Sequence, residues 1–424
     1  MEEAVGAIIK EYLELETNLI ERELKLKEVS GKAVSIVGVR RSGKTSLLLH
    51  HFQKLRNEGK SVVFFPFDDD RIFPPTLDTI RTVIKVAKEF YPDGKIHFFF
   101  DEIQEVDRWE LAVKRLVERE GHYVFLTGSS SKLLSKEIAT QLRGRTVTHE
   151  IFPFSFREIL KLHDIGVSKY FTESQEAKIR RLLRTYLEWG SFPEIWIKKE
   201  FADSTLKDYV NVMIYRDVIE RYSIRNYRAF KLFLKLAVTS FSTRISISKI
   251  ANYMKSLNMS ISRNSLYSYL EYCNDAYILF PVRRFSYSLK EVEQSKPKIY
   301  AIDNGIVRVF SHKITENIGR LMENVVFLEL RRRHKENENL FYYITNDGKE
   351  IDFLIKNGEV ELVEVTYDLD QDHVKRVLRA LNELGVREGT IVTWDTEDTI
   401  EKEGKTIRVV PLWRWLLQHS ARPS

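Results

Sequence analysis

The chain of 424 residues contains one cysteine, Cys273, which excludes an intramolecular disulfide and any zinc cluster built on thiolates. Within SYLEYCNDAYIL that cysteine reads as a small core residue, because no neighbour would activate its thiol. Long hydrophobic runs are also missing. Nothing approaches the roughly 20 apolar residues that span a bilayer, so no membrane partner is expected. The opening MEEAVGAIIKEYLELE is acidic and amphipathic and lacks the basic-then-apolar order of a secretory signal, and the expected location is cytoplasmic. Neither sign of charge dominates: 67 basic and 61 acidic residues leave +6, which permits an anionic partner without demanding one. Charge-rich composition with a single cysteine also fits a thermophile. No low-complexity linker or short-period repeat separates the segments, so the domains are expected to pack closely. No pair of histidines has metal-ligand spacing, and His50-His51 reads as helix surface.

Apolar residues are ample, at 43% of the chain, and the length suggests two to four domains. Residues 1–30 read as one amphipathic helix. The apolar stretches AVSIVGV (33–39), SVVFFPF (61–67), KIHFFFDE (95–102) and HYVFLTG (122–128) alternate with helical ones, the pattern of a parallel sheet covered on both faces. Residues 156–235 read as helical throughout. From about 296 strand and helix patterns mix again, ending in PLWRWLL.

GVRRSGKTS is the most specific signal. Gly38, Val39, Arg40, Arg41, Ser42, Gly43, Lys44, Thr45 and Ser46 fit the phosphate-binding loop spacing, with an apolar strand leading in and the helical SLLLHHFQKL leading out. Glycines let backbone N–H groups turn toward phosphate oxygens, and the emerging helix adds the positive end of its dipole. Lys44 would neutralise phosphate charge and the Thr45 hydroxyl would ligate Mg2+. KIHFFFDE supplies the complementary acids: Asp101 as the second magnesium contact and Glu102 as general base toward the attacking water. Thr127 and Ser129 follow the next strand, where a hydroxyl could sense the γ-phosphate; a simple polar turn is the plain alternative. Arg143 and Arg145 are candidates for an arginine inserted into a neighbouring subunit's site, against ordinary surface arginines.

ISISKIANYMKSLNMSISRNSLYSYLEYCNDAYILFPVRRFSYS (245–288) has the layout of a winged helix-turn-helix: helices at about 248–257 and 262–273, then a β ribbon with Arg283 and Arg284. A DNA reader would present Arg263, Asn264, Ser265 and Ser268 to the major groove and ribbon arginines to phosphate, while an internal packing module is the competing reading. Tyr267, Tyr269 and Tyr272 read as core or boundary residues. Further on, IGRLMENVVFLELRRR (318–333) carries Glu323 and Glu329, and KEIDFLIKNGEVELVEVT (349–366) reads as two strands turning at Asn357-Gly358, with Asp352 and Glu364. Paired carboxylates in this order suit a metal-dependent nuclease, with Asp352 and Glu364 as a second magnesium site. The lysine expected two residues after the glutamate is absent: Thr366 stands there, neutral and short. Lys349 and Lys375 are the candidate substitutes.

These pieces in this order resemble the AAA+ (STAND-related) P-loop ATPases of archaea and bacteria, in particular the archaeal group that joins such an ATPase to a winged helix and a C-terminal PD-(D/E)xK nuclease-like domain. FLTGSSS (125–131), LRGRTVTHEIFPFSFRE (142–158), YLEWGSFPEI (186–195) and YRDVIERYSIRN (215–226) look like that family's later landmarks. The resemblance implies an α/β chain: a P-loop parallel-sheet ATPase core (1–155), a helical lid (156–238) in which Arg216 or a nearby arginine touches nucleotide, a winged helix-turn-helix (239–295) and a restriction-endonuclease-like α/β domain (296–424). It implies ATP and Mg2+ as ligands, a switch or motor driven by hydrolysis, a homo-oligomer or partner protein, and DNA as a candidate partner. An ATP-gated nuclease and a non-cleaving nucleotide-dependent scaffold or signalling protein are the rival readings.

Overall fold

The computed structural model describes residues 1–128, 142, 144–168, 170–311, 317–334 and 339–418. The chain packs as two units, Met1–Pro153 and Phe154–Ser424.

The first unit opens with α1 (Glu2–Glu14). The helix expected to run to residue 30 stops there. Beyond it Leu26 is buried and Arg22 is 7% exposed, donating to the carbonyls of Ser42 (2.7 Å) and Phe152 (2.8 Å). Tertiary bonds to backbone hold this stretch in a non-helical path although its composition favours a helix. Then follow β1 (Ala33–Val37), α2 (Lys44–Asn57), β2 (Val62–Pro66), α3 (Leu77–Phe90), β3 (His97–Asp101), α4 (Trp109–Glu118), β4 (Tyr123–Thr127) and β5 (Thr146–Glu150). The four strands expected from the sequence form, each shorter at its ends than its apolar run. Among the described residues they join β5 in a wholly parallel five-stranded sheet of order β2-β3-β4-β1-β5. Strands β1, β2 and β3 are buried along their whole length, as parallel strands with helices on both faces must be. Phe52, Phe64, Phe99 and Phe125 fill the layer beneath α2. His51 belongs to that layer and not to the surface: it is 8% exposed and edge-on to Phe99 and Phe125, because the heptad-like spacing of Leu47, Leu48, Phe52 and Leu55 turns its face inward.

The second unit begins with helices, interrupted where the sequence pattern was expected to be continuous: α5 (Phe156–Leu162), α6 (Glu173–Trp189) and α7 (Ala202–Val212), the last running into a π-helical stretch, Met213–Glu220. Ser155 and Thr172 start α5 and α6 with capping boxes. Next come α8 (Tyr227–Thr239), β6 (Thr243–Arg244), α9 (Ile247–Ser256), α10 (Arg263–Asp275), β7 (Leu279–Val282) and β8 (Lys298–Ala301), whose strands form an antiparallel sheet of order β6-β8-β7. Helices α11 (Asn304–Phe310) and α12 (Ile318–Arg333) lead to β9 (Leu340–Ile344), β10 (Glu350–Asn357) and β11 (Glu359–Val365). After α13 (Gln371–Leu384) come β12 (Glu388–Thr393), β13 (Asp398–Lys402), β14 (Lys405–Pro411) and α14 (Leu412–Gln418). Strands β9 to β14 make a mixed sheet of order β13-β14-β12-β11-β10-β9, antiparallel at its edges and parallel between β11, β12 and β14. No helix among the described residues is long and apolar enough to cross a membrane.

Candidate functional site

The loop between β1 and α2 is built by backbone conformations that only some residues tolerate. Gly38 has φ 150° and Gly43 φ 95°, and Arg41 takes the left-handed region at φ 64°. At Gly38 a Cβ would lie 2.1 Å from the carbonyl oxygen of Ile151, so no side chain fits there. Ser42 closes the turn, its hydroxyl donating to the Val39 carbonyl at 2.8 Å. Lys44 is 6% exposed and its ammonium donates to the carbonyls of Gly38 (3.0 Å) and Val39 (3.1 Å), which keeps the cation folded over the loop. Thr45 and Ser46 begin α2 and are exposed at its N-terminus, while Arg40 is half-buried and Arg41 exposed.

Strand β3 brings Asp101 to that mouth. The Thr45 hydroxyl donates to the Asp101 carboxylate at 2.9 Å, and Thr127 Oγ1 donates to its other oxygen. Thr127 in turn accepts the Glu102 backbone N–H at 3.2 Å. One threonine at the end of β4 therefore orients both acids. The hydroxyl of Thr45 and the carboxylate of Asp101 are hard oxygen donors set side by side, which fits the magnesium ion that the motif implies. Burial pushes the Asp101 carboxyl up to about 6, with the Thr127 hydrogen bond pulling it down and Glu102 pushing it up. Glu102 sits in the left-handed region at φ 50° and accepts a hydrogen bond from the Gln104 side-chain amide. Asp68, in the PFDDD run after β2, belongs to the same acidic group: burial, then the charge of Glu102, holds its carboxyl above the usual range. Asp68 and Arg22 are residues the sequence reading missed; the three consecutive acids at a strand end were the available signal for the first. Arg145 forms an ion pair with Glu118 of the same unit. Arg143 and Ser129 lie outside the described residues.

Residues 30–160 match a family described as AAA domain. Residues 180–316 and 318–415 match two domains of unknown function, DUF8612 and DUF4143. An uncharacterized protein of Methanocaldococcus jannaschii is 39% identical over 97% of this chain and 95% of its own length. The chain belongs to that protein's family. Its first unit carries an AAA domain with a P-loop fold. A Haemophilus influenzae protein, also uncharacterized, is 26% identical over 90% of this chain and 94% of its own length. Among solved structures, a Walker-type ATPase of Pyrococcus abyssi overlays at TM-score 0.41 with 15% identity, covering 73% of this chain and 95% of that one. An AMPPCP-bound DnaA of Aquifex aeolicus overlays at TM-score 0.24 with 15% identity, covering 63% of this chain and 86% of that one. The sheet and the loop, not these loose overlays, define the fold.

In the second unit of this family member, α9 and α10 are helices joined by a short turn, and Ser262 caps α10 by accepting from Ser265 N–H at 3.0 Å. Arg263 and Asn264 are exposed on its first turn, with Ser265 and Ser268 half-buried. Tyr269 is core at 7% exposure, Tyr272 stacks on Tyr222 at 3.8 Å, and Tyr267, expected inside or at a boundary, is exposed. Arg283 and Arg284 follow β7 instead of lying on it. Arg283 pairs with Glu293 at 2.7 Å and Arg284 with Glu291 at 3.8 Å, so both ribbon arginines meet acids of the chain itself. Arg216 lies exposed on the π-helical stretch.

Strands β10 and β11 and helix α12 do bring Asp352, Glu364 and Glu323 to one side of the large sheet, all largely buried. Asp352 accepts the Val365 N–H at 2.9 Å, and Glu364 accepts the Asp352 N–H at 3.2 Å. Glu329 points elsewhere, pairing with Arg157 at 2.8 Å. The substitute cations are neither of those expected. Lys375 reaches only Asp372, at 3.9 Å on the exposed face of α13, and Lys349 bonds through its backbone N–H to Thr345. Instead Arg376 meets Glu364 at 3.0 Å, and Lys298, arriving from β8, lies 2.7 Å from Asp352. Thr366 uses its hydroxyl on the Asp368 carbonyl. Among the described residues no group of three or more His, Cys, Asp or Glu is arranged to hold a metal ion.

Proposed function

We propose that the chain binds and hydrolyses ATP with magnesium and uses the cycle as a conformational switch or motor. The single observation that carries this reading is the loop mouth, where Thr45, Asp101 and Thr127 form one hydrogen-bonded set at the N-terminus of α2 and the Lys44 ammonium is folded over the loop carbonyls. Thr45 and Asp101 would hold magnesium, which when bound offsets triphosphate charge. Lys44 would leave its two carbonyls for the β- and γ-phosphate oxygens, an exchange of neutral acceptors for charged ones that favours the nucleotide. Glu102, held by Gln104, would accept the proton of the attacking water as the bond from the γ-phosphorus to ADP breaks and that to water forms. An arginine from another subunit or partner would complete the site, Arg143 and Arg145 being the candidates that such a neighbour presents, with Arg145 released from its pair with Glu118, and hydrolysis by the isolated chain would be slow.

In this reading the second unit comprises a helical lid, a winged helix formed by residues 239–295, and the α/β domain that follows; DNA contact would use Arg263 and Asn264. Of the two rivals, the non-cleaving scaffold is favoured over the ATP-gated nuclease by the ion pair of Arg376 with Glu364, which occupies a carboxylate that cleavage would require for metal. The test is nucleotide binding and turnover by wild type, Lys44→Ala and Glu102→Gln. Lys44→Ala is expected to lose binding and hydrolysis together by about 100-fold or more, and Glu102→Gln to keep binding while losing turnover by a similar factor. Unchanged hydrolysis by Lys44→Ala would remove the assignment.

A further inference from the structure

The magnesium ion that the nuclease resemblance implies does not fit the second acidic centre, and the misfit is informative. The ammonium of Lys298 is 2% exposed and stands 2.7 Å from one oxygen of each of Glu323, Glu350 and Asp352. A protonated lysine has three N–H donors and no acceptor. Here three donors meet three carboxylates, so its hydrogen-bonding capacity is fully used by charge-assisted bonds. Of the remaining oxygens, Asp352 Oδ2 takes the Val365 N–H at 2.9 Å and Glu350 Oε2 lies 2.8 Å from Arg244, while Glu323 Oε1, the oxygen that meets Lys298, also accepts the Tyr300 hydroxyl at 2.7 Å. Glu364 spends its two oxygens on Arg376 (3.0 Å) and the Asp352 N–H (3.2 Å). A divalent ion would have to displace a tethered, buried cation, and magnesium sheds its waters reluctantly.

Lys298 comes from a different sheet from two of its acceptors. Its backbone pairs within β6-β8-β7, opposite Arg244 and Val282, while Glu350 and Asp352 lie on β10 of the six-stranded sheet and Glu323 on α12. We propose that Lys298 is the permanent cation of this centre: its ammonium balances Glu323, Glu350 and Asp352 in place of a divalent ion, and the nuclease-type carboxylates serve to lock the three-stranded module to the larger sheet. The missing lysine of the Glu364-Val365-Thr366 stretch is thereby replaced in charge but not in function. The centre neither needs nor admits magnesium. Removing the lysine leaves the buried carboxylates of Glu323 and Asp352 without their cation, which is strongly destabilising, and opens the space a metal could use.

The experiment uses the full-length, nucleotide-free chain with Mn2+ as the probe, followed by electron paramagnetic resonance and by thermal unfolding in EDTA or Mn2+. Wild type is expected to show the same unfolding temperature in both and no bound Mn2+ that Asp352→Asn removes. Lys298→Met is expected to unfold about 10 °C lower in EDTA, and to regain part of that loss in Mn2+ unless Asp352→Asn is added. Should Lys298→Met not accumulate in folded form, Lys298→Met/Glu323→Gln carries the test, because deleting a cation with one of its anions is expected to cost less than deleting the cation alone. A wild-type Mn2+ site abolished by Asp352→Asn would overturn the proposal. So would a Lys298→Met protein as stable as wild type in EDTA, or a double variant no more stable than the single one.

Discussion

An imidazole packed edge-on against Phe99 and Phe125 accepts a proton only at the expense of solvation, and burial pushes His51 down to about 4 from 6.5. The folded chain thus binds this proton more weakly than the unfolded one, so the stability tied to it is present above pH 6.5 and is lost as pH falls toward 4. Between pH 7.5 and 5 the loss from this group is on the order of 2 kcal/mol. Urea denaturation at the two pH values checks it: His51→Leu is expected to show a smaller acid loss than wild type by about that amount. Gly38 makes a second residue-scale prediction. With Ile151 oxygen 2.1 Å from any Cβ, Gly38→Ala forces the loop or β5 to move. A destabilisation of about 2–4 kcal/mol is expected, with nucleotide affinity falling with it, measured by unfolding and by calorimetric titration. The two residues differ in how readable they were. Gly38 belongs to a local pattern whose spacing is set by one turn of backbone, so the sequence displays it. The inward face of His51 is marked by the spacing of Leu47, Leu48, Phe52 and Leu55, but the rings it packs on come from distant strands, and Lys298, 54 positions from Asp352, leaves no local trace.

Elements were legible where their period was unbroken and illegible where tertiary bonds override propensity. The parallel strands are apolar along their length and declared themselves; the end of α1 at Glu14 did not, because the bonds that hold Arg22 go to Ser42 and Phe152. The WGSFPE stretch shows the same limit, since it marks a likeness without declaring a role. In the structure Gly190 ends α6 at φ 79°, and a Cβ there would lie 1.8 Å from an Asp303 carboxylate oxygen. Asp303 in turn accepts Ser191 N–H and Oγ–H, each at 2.6 Å, and the Gly305 N–H at 2.7 Å. The end of α6 and the start of α11 are therefore joined through one buried carboxylate. Gly190→Ala is expected to cost about 3 kcal/mol or more and Ser191→Ala about 1–2 kcal/mol, read from thermal unfolding of the two variants against wild type. Equal stability of Gly190→Ala and wild type would show that this junction tolerates displacement.

At the scale of the whole molecule, two compact units, Met1–Pro153 and Phe154–Ser424, pose the question that the switch reading must answer. A ligand that binds only the folded first unit stabilises it by about 2.7 kcal/mol at a concentration 100 times its dissociation constant. For a unit of this size that raises its unfolding midpoint by roughly 5–10 °C. An ATPase domain that merely shares a chain with its neighbour would shift its own transition alone. A switch requires more, because nucleotide can bias the second unit only if it binds differently to states that the second unit distinguishes. Scanning calorimetry of the full chain with a non-hydrolysable ATP analogue and magnesium separates these cases. The switch reading expects the first-unit transition to rise by the amount above and the second-unit transition to move with it, by about 1–3 °C if the coupling is near 1 kcal/mol. Lys44→Ala should abolish both shifts. A large first shift beside an immobile second transition would leave the nucleotide site intact as an ATPase and take away its role as a switch.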